Sequence, residues 1–141
     1  MLIHATCIAL KGQGVLLAGK SGVGKSDLAL RMINDGAQLV ADDQTELRVE
    51  NTVLIASASP SIAGLFEIRH VSLVKMSYLP RVPVTLYVEL TPIETVLERM
   101  PEADKITLLD HPVRRLRLPS FAASTPAKIR AALLYSLSTD T

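Results

Sequence analysis

The chain has 141 residues, 48% of them hydrophobic, and sets 15 Lys and Arg against 14 Asp and Glu. This balance provides no overall basic field for nucleic acid, and no apolar run approaches the roughly 20 residues a membrane-spanning helix needs. With neither the basic region nor the long apolar stretch of a secretory signal at the N-terminus, it reads as a single cytoplasmic domain over residues 1–141, with no nucleic-acid or membrane partner and enough length to bury a core. The one cysteine, Cys7, can form no internal disulfide and has no zinc-type spacing, so it reads as a small buried strand residue.

Leu2 to Leu10 is strand-like, Lys11-Gly12-Gln13-Gly14 reads as a turn, and Val15 to Ala18 as a second strand, which together predict a β-hairpin. If Leu10 lies opposite Val15, His4 falls opposite Ser21. There it either touches a phosphate or a carboxylate, or merely begins the first strand. Next comes Gly19-Lys20-Ser21-Gly22-Val23-Gly24-Lys25-Ser26, which fits the phosphate-loop pattern G-x-x-x-x-G-K-[ST] between a strand and a helix. Backbone N–H groups converge in such a loop, the positive end of the following helix backs them, Lys25 supplies an ammonium, and Ser26 offers a hydroxyl to a magnesium ion.

In the helix from Asp27 to Asn34, Leu28, Ala29, Met32 and Ile33 share one face, and Asp35-Gly36 supplies the stop. Leu39-Val40-Ala41 then predicts a short buried strand running parallel to the loop-bearing one, so that Asp42-Asp43 opens onto the phosphate crevice. Two adjacent carboxylates there suit phosphoryl transfer: one supports the metal, and the other accepts a proton from an attacking hydroxyl.

Glu46 to Val49 and Val53 to Ala56 predict a hairpin turned at Glu50-Asn51, and Ser57 to Gly64 a loop. In Leu65-Phe66-Glu67-Ile68-Arg69 the period of two puts Glu67 and Arg69 on one face and Phe66 and Ile68 on the other. Val84 to Leu90 is a strong strand pattern. Thr91-Pro92-Ile93-Glu94 predicts a helix start with a capping box, placing Arg99 near the helix C-terminus, where a cation offsets the dipole. Lys105 to Leu109 reads as another strand. Arg114, Arg115 and Arg117 follow as either a solvated basic segment or a surface for an acidic ligand or partner. Thr125-Pro126 opens a last helix with Ile129, Ala132, Leu133 and Leu137 on its apolar face. The fold class expected is α/β: a phosphate-loop domain with a central mixed sheet.

Ile3-His4-Ala5, GKSGVGKS at 19 to 26, Leu39-Val40-Ala41-Asp42-Asp43 and Glu67-Ile68-Arg69, in this order, resemble the catalytic domain of the HPr kinase/phosphorylase family, bacterial protein-serine kinases. The resemblance implies a fold related to the phosphoenolpyruvate carboxykinase-like nucleotide-binding fold, in a short form without the family's separate N-terminal domain. It implies that ATP and Mg2+ are the cofactors, that the phosphocarrier protein HPr is the partner phosphorylated on serine, and that the chain self-associates, as hexamers in the family do. It also implies a reverse reaction that uses inorganic phosphate to remove the group and release pyrophosphate. Carried over by position, Lys25 and the loop amides hold the β- and γ-phosphates, and Ser26 and Glu67 bind magnesium with support from Asp42. Asp43 is the general base, and acts as general acid in reverse, while His4 and Arg99 match active-site residues.

The chain departs from the family in three places. Gly-Leu-Gly after Glu-Ile-Arg is replaced by His70-Val71-Ser72, the connection from Leu73 to Pro83 is short, and Arg117-Leu118-Pro119-Ser120-Phe121 stands where the family has Pro-Val-x-Pro-Gly-Arg, linked to dephosphorylation. These changes leave the reverse direction open. A phosphate-loop kinase for another substrate and a non-catalytic nucleotide-sensing regulator are the rival readings; no Asn-Lys-x-Asp is present to read guanine.

Overall fold

The computed structural model describes residues 1–135; Leu137, expected on the last helix, lies outside them. In chain order the elements are β1 (Leu2–Ile3), β2 (Ala5–Leu10), β3 (Gln13–Ala18), α1 (Lys25–Asn34), β4 (Gln38–Ala41), β5 (Thr45–Glu50), β6 (Val53–Ser57), β7 (Leu65–Ile68), β8 (Ser72–Lys75), β9 (Val82–Thr91), β10 (Lys105–Leu108), β11 (His111–Pro119) and α2 (Thr125–Leu134).

The predicted first hairpin forms, but in another register. Lys11 and Gly12 both adopt positive φ and make a tight two-residue turn, so Leu10 faces Gln13 and Ala5 faces Ala18, instead of Leu10 facing Val15. His4 is thereby brought level with the start of the phosphate loop at Gly19, two residues short of Ser21. A similar shift moves the β5–β6 turn from Glu50-Asn51 to Asn51-Thr52, again at positive φ, with Glu50 opposite Val53.

The strand order is β1-β5-β6-β9-β3-β2-β4, with β11 also paired to β9 and to β10. Strands β3, β9 and β11 run parallel, and β4 is antiparallel to β2, which is antiparallel to β3. Therefore β4 points the same way as β3, as expected, but stands one strand away. The C-terminal ends of β4, β3, β9 and β11 all reach one edge of the sheet, with β3 and its loop between the β4 flank and the β9–β11 flank.

Around β2, β3 and β4 both faces of the sheet are buried, which is why these strands are near-continuous apolar runs whose successive side chains point to opposite sides. In β3, Val15 and Leu17 pack with Leu28, Ala29 and Met32 of α1, Phe66 of β7 and Ile129 of α2. Leu16 and Ala18 point the other way, into a cluster with Leu47, Leu54, Ala56, Leu108 and Val113, around which the sheet curls. Helix α1 stops as predicted: Gly36 at φ 105 lets its N–H reach Ile33 O at 3.0 Å and the Ala37 N–H reach Met32 O at 3.0 Å.

The helix expected from Thr91-Pro92-Ile93-Glu94 does not form. Strand β9 runs on through Leu90, which is buried, and Thr91, which pairs with Pro119. The residue that would cap a helix is thus used by the sheet. Beyond it, Ile93, Val96 and Met100 are exposed, so no apolar face is available to stabilise a short helix, and residues 92–104 take turn and irregular backbone. The arginines of the 114–117 stretch lie in β11 and are held within the chain. Arg114 donates to Ala132 O at 3.2 Å, Arg115 pairs with Asp104 at 2.7 Å and Arg117 with Glu89 at 2.8 Å.

Candidate active site

The loop from Gly19 to Ser26 rises from the buried end of β3. Val23 N–H donates to Lys20 O at 3.1 Å, and Gly24, at φ 109, leads directly into α1, where Leu28 N–H donates back to Gly24 O at 3.0 Å. Lys20, Ser21 and Gly22 are exposed at the rim. Lys25 begins the helix and is 8% exposed; its ammonium donates to Gly19 O at 3.0 Å and Lys20 O at 3.3 Å, folded across the loop it would serve. An open cleft of about 430 Å³ runs between Gly19–Val23 and the end of β9, Glu89 to Pro92.

On the β4 flank, Asp42 is the junction of three chain segments. Its Oδ1 accepts from Ser26 Oγ at 2.7 Å and from Thr6 Oγ1 at 3.3 Å, and its Oδ2 accepts from the Glu67 backbone N–H at 3.2 Å. A single carboxylate thus links the phosphate loop, β2 and the β7–β8 hairpin. Asp43, next to it, is exposed at φ 64, and its N–H donates to Thr6 Oγ1 at 3.0 Å. The backbone reversal at Asp43 sends the two carboxylates different ways, one into the loop and one to the open side.

A loop hydroxyl 2.7 Å from a carboxylate, beside a phosphate cradle, is a donor set that suits magnesium. That ion is commonly held by one or two carboxylates together with substrate phosphates. Glu67 joins the cluster through its backbone, with its side chain exposed, and His4 is exposed in the bend before β2. Arg99 lies exposed in the irregular stretch, and among the described residues no hydrogen bond or ion pair ties it to the others.

One group at the site was not singled out from sequence, and a second was noted only as a departure from the family pattern, without its contact to the loop. Thr6 is fully buried and bridges Asp42 to the Asp43 amide. Its signal was visible as the one hydroxyl in the apolar run from Ala5 to Leu10. The other is Ser120-Phe121, just beyond β11. Ser120 is fully buried and donates through Oγ to Val23 O, and a Cβ placed on Gly24 would lie 2.7 Å from Phe121 Cζ. No local pattern could have joined residues so distant along the chain.

A family model described as the HPr Serine kinase C-terminal domain matches residues 1–136. The HPr kinase/phosphorylase of Geobacillus thermodenitrificans (strain NG80-2) is 38% identical over 128 residues, covering 83% of this chain and 41% of that protein. The HPr kinase/phosphorylase of Peptoclostridium acidaminophilum is 34% identical over 128 residues, with 83% and 42% covered. The chain therefore spans about two-fifths of the length of the curated relatives it matches. Among solved structures, the Hpr(Ser) kinase/phosphatase from Coxiella burnetii superposes with a TM-score of 0.82 at 26% identity, over 95% of this chain and 88% of that one. The mixed sheet, the loop after its third strand and these similarities agree on a phosphate-loop α/β fold of the phosphoenolpyruvate carboxykinase-like kind, and the chain belongs to the HPr serine kinase C-terminal domain family.

Proposed function

We propose that residues 1–141 act as one cytoplasmic catalytic unit that transfers the γ-phosphoryl group of ATP, with Mg2+, to a serine of HPr. The observation that carries the reading is the Ser26–Asp42 contact at 2.7 Å, which sets a carboxylate and a hydroxyl against the phosphate loop with Asp43 at its open side. The names of the relatives supply the acceptor.

In this reading the loop amides and α1 receive the β- and γ-phosphates, and Lys25 turns its ammonium from Gly19 O and Lys20 O to the phosphate oxygens. Magnesium at Ser26 and Asp42 would neutralise charge on the β- and γ-phosphates. Asp43 orients the serine hydroxyl and takes its proton as the new O–P bond forms and the bond to the β-phosphate oxygen breaks, releasing ADP. Glu67, whose backbone N–H Asp42 accepts, would support the metal beside Ser26 and Asp42, and His4 and Arg99 are carried over as active-site residues from the family resemblance alone.

The test is incubation with γ-labelled ATP, magnesium and HPr from the same organism, with the labelled residue identified by mass spectrometry. Serine labelling is expected, falling at least about a hundredfold in Asp43→Asn while ATP binding is kept. ATP binding without transfer to HPr refutes the acceptor, and an undiminished rate in Asp43→Asn refutes the base.

A further inference from the structure

We infer that Phe121 is the platform on which the purine base of the nucleoside triphosphate stacks. The inference rests on the phosphate-loop reading above and extends it from the phosphates to the base.

Topology sets the direction. Loop-bearing β3 has β2 and then β4 on one side, and β9 and then β11 on the other, with β4, β9 and β11 all ending at the edge where the loop sits. Asp42 and Asp43, on the β4 flank, mark the reacting end of a bound triphosphate. The nucleoside therefore leaves toward the β9–β11 flank, where the open cleft runs and where Pro119, two residues before Phe121, pairs with Thr91 at the cleft's edge.

The backbone on either side of the aromatic residue on that flank is tied down at several points. Ser120 N–H donates to Thr91 O at 3.2 Å and Ser120 Oγ donates to Val23 O. Arg31, paired with Asp27 at 3.0 Å, donates to Ser120 O and to Ala122 O at 3.4 Å. The segment is thus clamped to both the loop and α1. The ring meets Gly24 through its edge: a Cβ there would lie 2.7 Å from Cζ and 3.1 Å from Cε2. Phe121 nevertheless remains 55% exposed, whereas the chain's other phenylalanine, Phe66, is 1% exposed in the core. A ring on an anchored backbone, seated by its edge at Gly24 and open on its surface beside a phosphate cradle, offers what a base requires, an aromatic platform that costs little ordering on binding.

The test compares binding of Mg-ATP and of Mg-tripolyphosphate by calorimetry. Phe121→Ala should weaken Mg-ATP by about fivefold to a hundredfold, the range of base–aromatic stacking, and leave tripolyphosphate unchanged. If alanine also weakens tripolyphosphate, Phe121→Leu keeps apolar bulk beside Gly24 without the π face, and the same selective loss of ATP is expected. Phe121→Trp should retain ATP binding. The native chain has no tryptophan, so that indole is a sole reporter, quenched by ATP and not by tripolyphosphate. Equal ATP affinity in wild type, alanine and leucine variants overturns the platform while the phosphate loop stands. If wild type binds neither ligand, the phosphate-loop reading falls and the platform falls with it.

Discussion

Substitution of Asp42 separates what its carboxylate does for the fold from what it does for a metal. In Asp42→Asn the amide oxygen can turn to the Glu67 N–H, found 3.2 Å from Oδ2, while the amide NH2 turns to Ser26 and Thr6, whose hydroxyls now lie 2.7 Å and 3.3 Å from Oδ1. Both hydroxyls can rotate to accept. The three contacts survive without charge assistance, but the proton of the fully buried Thr6 hydroxyl loses its acceptor, so the cost is about 2 kcal/mol, or roughly 7 °C of melting temperature for a chain of this size. Asp42→Ala instead strands an amide and two hydroxyls. At about 1–3 kcal/mol for a poorly hydrated group and less for the others, the total is about 3–4 kcal/mol, or roughly 10 °C or more. Ligand linkage supplies the second readout. Mg-ATP at about a hundred times its Kd adds about 2.7 kcal/mol to the wild type, roughly 8–10 °C. In Asp42→Asn the group facing Ser26 is an N–H donor, which cannot ligate magnesium, so the shift should shrink to that of ATP alone. Thermal melts of the three proteins with ATP, with and without magnesium, decide both points. An equal Mg-ATP shift in wild type and Asp42→Asn would refute the metal role, and an Asp42→Ala melt within about 2 °C of wild type would refute the hydrogen-bond reasoning.

Other expectations follow from single positions. Gly24→Ala must hold a side chain at φ 109 with its Cβ 2.7 Å from Phe121 Cζ and 2.9 Å from Ser120 Oγ. Strain and crowding together should cost about 2–4 kcal/mol in denaturant melts, and an unchanged midpoint would contradict the packing. His70→Gly should stabilise: relief of a non-glycine residue at φ 70 is worth about 1–2 kcal/mol, less about 0.4–1 kcal/mol for a freer unfolded chain, and a lower melting temperature than wild type rejects this. His111 offers its two ring nitrogens to Leu109 O at 3.0 Å and Thr52 O at 2.8 Å, and these carbonyls raise its pKa above the usual 6.5 by favouring the imidazolium. Its stabilisation is therefore complete below the unfolded value and is lost as pH rises through the higher folded value. The stability difference between wild type and His111→Gln should shrink as pH rises above the ordinary histidine value of about 6.5, and a pH-independent difference would exclude the linkage.

Much of the site was legible because its parts are contiguous in the chain. Gly19 to Ser26 carries its own strand, turn and helix start, and Asp35-Gly36 ends α1 by a local hydrogen-bond motif. Likewise Asp42-Asp43 follows the buried run Leu39-Val40-Ala41 of β4, so its arrival at the loop's edge needed only the direction of that strand. The hairpin register was not legible, since two-residue and four-residue turns compete for the same glycines and only the realised pairing distinguishes them. Thr91-Pro92-Ile93-Glu94 has the local features of a helix start, yet pairing with β11 captured Thr91 and left the following apolar residues without a surface to cover. Propensity yields to tertiary context there because a short helix gains its stability from packing.

By itself, then, the sequence determined the loop, the helix behind it and the carboxylate pair beyond, because hydrogen bonding and steric limits within a few residues dictate them. Only the tertiary structure decided which carboxylate turns inward. Asp42 was set by Ser26, Thr6 and the Glu67 amide, groups that meet at one sheet edge through the strand order β3-β2-β4. It also decided that Ser120 and Phe121 close the opposite flank, through the parallel pairing of β9 with β11. Contacts of that kind depend on which strands become neighbours, a choice made by burying both faces of the sheet at once, and no window along the chain encodes it.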